Sequence, residues 1–126
     1  MLAELTSHGD PASGYLSFLN IGDLEFVPRR IFYVTGVSAG SVRGGHGHYE
    51  DKQYLICLRG SVRVTLVSKD KKITHYLKPN DYCLMDQMTW GEQEYLTGDE
   101  ILLVLCSTEF NKEDYFYDVE TVWGVQ

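Results

Sequence analysis

The segment that decides the fold, residues 43–51, reads RGGHGHYED. Behind its Gly-Gly pair, His46 and His48 stand two residues apart. Residues i and i+2 of an extended strand point to the same face, so the two imidazoles are expected to converge. Each imidazole can accept or donate a proton near neutral pH. The pair therefore indicates either part of a metal site or an acid/base device.

Apolar segments of strand length surround this motif and are separated by turn residues. We predict strands over residues 31–34, 54–58, 62–67, 73–77, 82–85 and 101–106. In the third of these, Val62, Val64 and Leu66 alternate with polar residues, which is the period of a half-buried strand. Only residues 112–117 indicate a short helical turn. Many short strands with almost no helix predict an all-β sandwich or barrel.

The chain has 126 residues, enough for one domain with a single core. No repeat or Pro/Ser-rich linker divides it, so we predict one domain over residues 1–126. Residues 1–20 are less patterned. They are expected to form either an edge strand exchanged with a second subunit or a partly mobile segment, and the sequence leaves both open.

Charge and apolar patterning exclude several kinds of partner. The 18 acidic and 11 basic residues give a net charge of -7, which argues against nucleic acid as a main partner. The apolar runs are far shorter than the roughly 20 residues that a membrane span needs, and residues 1–20 lack a signal-peptide pattern. Cys57, Cys83 and Cys106 each lie in an apolar run, which favours buried, reduced thiols and a cytoplasmic protein.

The features around the histidines resemble the first motif of the cupins. Gly40, the two histidines, Gln53 and Gly60 follow the order glycine, His-x-His, glutamate, glycine. The resemblance implies a cupin double-stranded β-helix, which is a jelly-roll-like barrel. Gln53 stands near the position of the family's glutamate ligand, and no histidine follows residue 75. Two neutral imidazoles and an amide are a poor ligand set for a divalent ion, so we predict no metal.

A more specific resemblance, over about residues 30–118, is to the sugar 3,4-ketoisomerases, also called WxcM-like. It rests on residues 43–48, on Gln53, and on the stretches LICLRG at 55–60, WGE at 90–92, LLVLCS at 102–107 and DY at 114–115. The members of this family are similar to cupins that have lost their metal, and they act on dTDP-4-keto-6-deoxyglucose in deoxysugar biosynthesis. The resemblance implies a dTDP-linked keto-sugar ligand, no cofactor and a homodimer. Gly47 replaces a usual alanine, and Gly91 stands where many relatives carry histidine.

The chemistry of that family suits these residues. Moving a ketone from C4 to C3 requires removal of the C3 proton and delivery of a proton to C4, for which a base and an oxyanion donor suffice. We assign His48 as the main base and His46 as its partner. Tyr33 is assigned as a phenol that hydrogen-bonds the enolate oxygen, the alternative being a core aromatic with its hydroxyl at the surface.

Five further side chains are predicted to bind substrate. The planar fork of Arg43 suits a diphosphate, and Arg30 is the weaker second candidate. Trp90 either closes the sugar pocket or packs in the core, and Glu92 hydrogen-bonds a histidine or the substrate. Gln53 contacts a sugar hydroxyl, orients an imidazole or is simply a satisfied amide.

Three alternatives remain at this stage. The first is a metal-dependent cupin enzyme, and the second is a non-catalytic cupin that binds a sugar nucleotide. The third is a related reaction on a sugar nucleotide, such as epimerisation. The sequence leaves open the configuration of the product at C4 and the base of the nucleotide.

Overall fold

The structure is a computed structural model that describes residues 1–123. Within that range it contains twelve β-strands, two short 3₁₀ turns and one helical turn, α1. The strands are β1 (Leu2–Glu4), β2 (Thr6–Asp10), β3 (Gly14–Phe18), β4 (Arg30–Thr35), β5 (Ser41–His48), β6 (Gln53–Arg59), β7 (Val62–Ser68), β8 (Lys71–Leu77), β9 (Asp81–Met85), β10 (Trp90–Tyr95), β11 (Ile101–Cys106) and β12 (Tyr115–Phe116). The 3₁₀ turns cover Ile21–Asp23 and Lys112–Asp114, and α1 covers Glu120–Trp123.

Ten of these strands form two facing antiparallel sheets. Sheet A has the order β1-β9-β6-β11-β4, and sheet B has the order β12-β5-β10-β7-β8. Strands β2 and β3 pair only with each other, as a hairpin. This arrangement is the jelly-roll-like barrel of the cupin double-stranded β-helix, so the predicted all-β class is confirmed.

The core lies between the two sheets, because each sheet turns alternate side chains inward. Val62, Val64 and Leu66 are buried while Arg63 is exposed, as the alternation predicts. The same core contains buried residues of β6, β9 and β11. Cys57, Cys83 and Cys106 are all buried and unpaired, which confirms their prediction as free core thiols.

All six predicted strands are present, with ends that differ by a few residues. The sequence prediction missed β10, and for residues 1–20 it offered a single edge strand as one of two alternatives, where the structure has β1, β2 and β3. It also expected a helical turn over 112–117, where the 3₁₀ turn ends at Asp114 and β12 follows. In this chain β1 pairs with its own β9. No helix in residues 1–123 is long and apolar enough to cross a lipid bilayer.

A β-bulge in β5 decides which side chains enter the barrel. Against β10, His46 is opposite Gly91 and Gly44 is opposite Glu92, so Gly45 is the extra residue. Gly44 and Gly45 have φ angles of 90° and 76°, in the left-handed region that glycine adopts without strain. Strict alternation would place Arg43 and His46 on opposite faces, but because of the bulge both side chains line the same cavity.

Candidate active site

The two histidines lie together at one end of the barrel. Their ring centroids are 5.2 Å apart and the rings are nearly perpendicular. Gly47 between them has no room for a side chain, since a Cβ there would lie 2.3 Å from the Phe116 ring and from the Thr89 carbonyl oxygen. Glycine therefore allows Phe116 and the Thr89 carbonyl to pack closely against β5 on the face opposite the two imidazoles.

Tyr115 covers both imidazoles. Strand β12 pairs with β5 so that Tyr115 is opposite His48. The Tyr115 ring centroid is 4.9 Å from that of His46 and 4.5 Å from that of His48. The exposed Tyr117 and Phe110 continue this aromatic cluster towards solvent. The histidine pair thus lies under a cluster of aromatic rings and not in open water.

Burial keeps His48 in its neutral form. The residue is 2 % exposed, and its Nε2 has no hydrogen-bond partner within residues 1–123. Burial, with a further contribution from the neighbouring His46, lowers the pKa of His48 to about 4. Burial also lowers the pKa of His46, with a partial offset from the backbone of Gly44. A neutral imidazole with an unpaired ring nitrogen is suited to accept a proton.

Asp51 organises the polar groups beneath the histidines. Its carboxylate accepts hydrogen bonds from the Arg30 guanidinium at 3.1 Å, Gln53 Nε2 at 3.0 Å, Ser107 Oγ at 3.1 Å and the Thr108 backbone N–H at 2.9 Å. Burial opposes its negative charge, but the hydrogen bonds from Gln53, Thr108 and Ser107 outweigh it, so the pKa of Asp51 is lowered. Asp51 is therefore a buried, ionised anchor.

A cavity of about 90 Å³ lies between the sheets and reaches His46. Its polar lining consists of Arg43, His46, Gln53, Gln93 and Tyr95, and the rest of its wall is mostly apolar. The Tyr95 hydroxyl is buried and has no partner within residues 1–123. The cavity thus combines an apolar wall with a few polar groups, as small-molecule sites do.

Three predicted site residues do not join the histidines. On β4, Phe32 and Val34 line the cavity, so Tyr33 faces outward and is 69 % exposed. Glu92 lies on the outer face of sheet B beside Arg63 and Lys72. Trp90 packs against Val67, Phe116 and Val122, and its Nε1 donates to the Tyr117 carbonyl oxygen at 3.2 Å. Of the two sequence interpretations of Trp90, the structure therefore favours packing over closure of the pocket.

Arg30 is already engaged by the protein. Besides Asp51, its guanidinium lies 5.5 Å from the centroid of the Phe32 ring and 5.6 Å from that of Phe110. These contacts hold the Arg30 guanidinium against the protein, and its role as a second diphosphate contact stays a prediction. Arg43 is exposed and lines the cavity, and its role as a diphosphate contact stays a prediction.

The site does not fit the metal centre that the cupin fold implies. The amide of Gln53 donates to Asp51, and the oxygens of Asp51 are already occupied by four donors. Within residues 1–123, no group of three or more His, Cys, Asp or Glu side chains is arranged to hold a metal ion. The two imidazoles therefore lack a carboxylate that is free to complete a ligand set.

Sequence reasoning missed several groups of the site, namely Asp51, Gln93, Tyr95 and Tyr115. Asp51 belongs to the opening RGGHGHYED segment, so its proximity to the histidines was available as a signal. Tyr115 follows Asp114 in the motif that the ketoisomerase resemblance uses, but its contact with the imidazoles depends on the pairing of β12 with β5. Gln93 and Tyr95 enter the cavity from β10, a strand that the apolar pattern did not reveal.

An antiparallel jelly-roll barrel with a histidine pair at one end defines a member of the cupin class. The particular family follows from comparison with known proteins. The model of the family described as FdtA: WxcM-like, C-terminal matches residues 1–124. The chain belongs to this family, and the resemblance predicted from the sequence is confirmed.

Relatives of known activity or structure agree with this assignment. The chain is 28 % identical over 96 residues to a TDP-4-oxo-6-deoxy-alpha-D-glucose-3,4-oxoisomerase of Aneurinibacillus thermoaerophilus, covering 74 % of this chain and 68 % of that protein. It also resembles the crystal structure of QdtA, a sugar 3,4-ketoisomerase from Thermoanaerobacterium thermosaccharolyticum in complex with TDP. That match has a TM-score of 0.84 and 29 % identity and covers 94 % and 87 % of the two chains.

Two further solved structures are similar to this chain. A variant of QdtA with asparagine in place of one histidine has been crystallised with TDP-4-keto-6-deoxyglucose. The rmlC epimerase of Mycobacterium tuberculosis shares the fold alone, with a TM-score of 0.78 and 18 % identity over 92 % of this chain and 66 % of that one. The relatives that show more than the fold are isomerases, which supports the predicted enzyme class.

Proposed function

We propose that this protein is a sugar 3,4-ketoisomerase that converts dTDP-4-keto-6-deoxyglucose into a dTDP-3-keto-6-deoxyhexose by acid/base proton transfer without a metal. The observation that carries the proposal is the pair of adjacent imidazoles, of which His48 is buried, has a lowered pKa and has no partner for its Nε2 within residues 1–123. The activity of the relatives and the TDP-linked ligands bound to QdtA support the choice of substrate.

The reaction needs only proton transfers, at C3 and C4 and at the oxygens that these two carbons carry. His48 removes the proton at C3, the C3–H bonding pair forms a C3=C4 double bond, and the C4 ketone oxygen takes up a proton. The resulting enediol then accepts a proton at C4 while the C3 hydroxyl gives up its own, which leaves a ketone at C3. Atoms and electrons balance within the sugar, so no redox partner is consumed.

In the proposed reaction, His46 donates protons to and accepts protons from the sugar oxygens at C3 and C4. It lines the cavity, contacts the Tyr115 ring and lies beside His48. Protonation of the C4 oxygen by a neighbouring imidazole stabilises the developing negative charge. In this scheme His46 relays a proton between the two sugar oxygens, while His48 acts at carbon. Tyr33 and Glu92 have no part in it, because they face away from the cavity.

The cavity is smaller than a pocket that would enclose a whole nucleotide sugar. About 90 Å³ is much less than the roughly 300–1,000 Å³ of pockets that enclose whole drug-sized ligands. The sugar therefore enters the barrel, and the diphosphate and nucleoside stay outside it. Arg43 is exposed where the cavity opens and forms the diphosphate contact, and Gln53 reaches the sugar from within.

Incubation with dTDP-4-keto-6-deoxyglucose in deuterated water tests this function. Proton NMR is expected to show a 3-keto product with deuterium at C4. Exchange at C3 without migration of the ketone would instead indicate an epimerase, and no change at all with bound ligand would indicate a binding protein. Turnover that is lost on treatment with a chelator and restored by a metal ion would support the metal-dependent alternative.

We further propose that the protein is a homodimer. The outward side chains Ile31 and Tyr33 of β4 are 66 % and 69 % exposed, and the β2–β3 hairpin exposes Tyr15, Leu16 and Phe18. Exposed apolar and aromatic side chains in such numbers are typical of interfaces. Light scattering during gel filtration is expected to give twice the monomer mass of 14.4 kDa. A monomeric mass at micromolar concentration would exclude the dimer.

A cytoplasmic location is also proposed. The three buried cysteines remain unpaired, which is usual in a reducing compartment. The substrate class proposed here is a nucleotide sugar, which is consistent with that compartment. Cell fractionation followed by detection of the protein tests the location.

A further inference from the structure

A single residue outside the cavity holds the chain where the histidine strand ends. Three successive backbone N–H groups after His48 all point to Asp114. Tyr49 N–H donates to the Asp114 main-chain oxygen at 2.9 Å. The N–H groups of Glu50 and Asp51 donate to the two carboxylate oxygens at 2.9 Å and 3.1 Å. Asp114 is itself 8 % exposed, so these hydrogen bonds are sheltered from water.

The 3₁₀ turn that ends at Asp114 fixes the position of this residue. In this turn, Lys112–Asp114, the Asn111 side chain accepts a hydrogen bond from the Glu113 N–H at 3.1 Å. The Asp114 N–H donates to the Asn111 main-chain oxygen at 3.0 Å. The carboxylate therefore has a defined place before Tyr115 begins β12.

This contact links the groups on which the proposed reaction depends. Asp51, whose N–H is held by Asp114, anchors Arg30 and Gln53 through its carboxylate. Tyr115, the next residue after Asp114, packs on both imidazoles. Asp114 thus connects the end of the histidine strand, the Asp51 anchor and the Tyr115 ring.

We infer that Asp114 is a positioning residue for the histidine pair. It clamps residues 49–51 through their three N–H groups and acts on the reaction only through His48 and Asp51. This inference rests on the proposed function, since it assigns Asp114 a role in that proton transfer. Small displacements of a catalytic group lower the rate of the chemical step more than they lower binding.

The test compares Asp114→Asn with Glu100→Gln. Glu100 is a matched control, because it is also a buried carboxylate that accepts backbone N–H groups, those of Ser61, Thr97 and Gly98. It lies beside the β6–β7 turn, at the opposite end of the barrel from the histidines. Each substitution removes one acceptor oxygen and one charge, so both variants are expected to lose thermal stability.

Only Asp114→Asn is expected to lower kcat, by up to about 100-fold with little change in KM. Amide hydrogen exchange at residues 49–51 is expected to quicken in that variant alone. Equal kcat values in the two variants would overturn the inference. Should Asp114→Asn fail to fold, Asn111→Ala decides in its place. Asn111 is exposed, and its loss loosens the same turn, so an unchanged kcat in Asn111→Ala would overturn the inference as well.

The two proposals fail in distinguishable ways. A wild-type protein without isomerase activity would contradict the proposed function, while hydrogen exchange at residues 49–51 still tests the clamp. An active wild type whose exchange rates and kcat do not respond to Asp114→Asn would contradict the clamp alone.

Discussion

Replacement of His48 by asparagine is expected to lower kcat by about 10²- to 10⁴-fold, the usual contribution of a general base. Asparagine is close to the imidazole in size but cannot accept the C3 proton. Because Arg43 and the rim of the cavity are untouched, affinity for dTDP is expected to stay near that of the wild type. Steady-state kinetics and calorimetric titration with dTDP measure the two effects separately.

His75→Asn is the matched control for this substitution. His75 is a half-buried histidine on β8, the strand at the far edge of sheet B from Tyr115 and the histidine pair. Its loss is expected to leave kcat unchanged. A His48→Asn variant that retains wild-type kcat, or a His75→Asn variant with an equal loss, would contradict the assignment of His48 as the base.

The pH profile of the wild type gives a second measure of His48. Burial and the neighbouring His46 lower its pKa to about 4, so the imidazole stays neutral well below pH 6.5. The acid limb of kcat/KM is expected below pH 6.5 and towards pH 4, with activity falling as His48 becomes protonated. Stability falls over the same window as pH drops, because the unfolded chain binds this proton more tightly than the folded one. An acid limb at 6.5 would indicate a solvated histidine instead.

Most of the strands could be predicted from the sequence, because the alternation of apolar and polar residues and the positions of turn residues are local properties of the chain. Convergence of His46 and His48 followed from the same parity and is seen in the 5.2 Å separation of their rings. On β4 the alternation did not decide which side chains face the core, because Ile31 to Val34 are all apolar or aromatic. The structure turns Phe32 and Val34 inward and leaves Tyr33 outside.

Contacts between segments that are distant in the chain could not be predicted from the sequence alone. The position of Arg43 at the cavity depends on a bulge that changes the parity of β5 between Arg43 and His46. Asp114 and Asp51 are 63 residues apart and meet only because β12 closes against the histidine strand. Long-range pairings of this kind leave no periodic signal, so the anchor and the clamp beneath the histidines emerged only from the fold.

Replacement of Asp51 by asparagine is expected to reduce the free energy of unfolding by about 3–5 kcal/mol, the cost of breaking a buried ion pair from one side. The guanidinium of Arg30, with a side chain only 18 % exposed, would lose its carboxylate partner. The amide nitrogen of the new asparagine would also face donors from Gln53, Ser107 or Thr108. Domains of this size are stable by about 5–15 kcal/mol, so the loss is a large share of the total.

Urea denaturation of Asp51→Asn and Asp99→Asn at pH 7 provides the comparison. Asp99 pairs with Arg59 at 3.4 Å, but both side chains are more than half exposed. An exposed pair contributes roughly 0–1 kcal/mol because water screens it, so Asp99→Asn is expected to be nearly neutral. Equal midpoints for the two variants would mean that Asp51 is not the anchor of the site. A large loss confined to Asp51→Asn would show that the buried carboxylate holds Arg30 and Gln53 in place beneath the histidine pair.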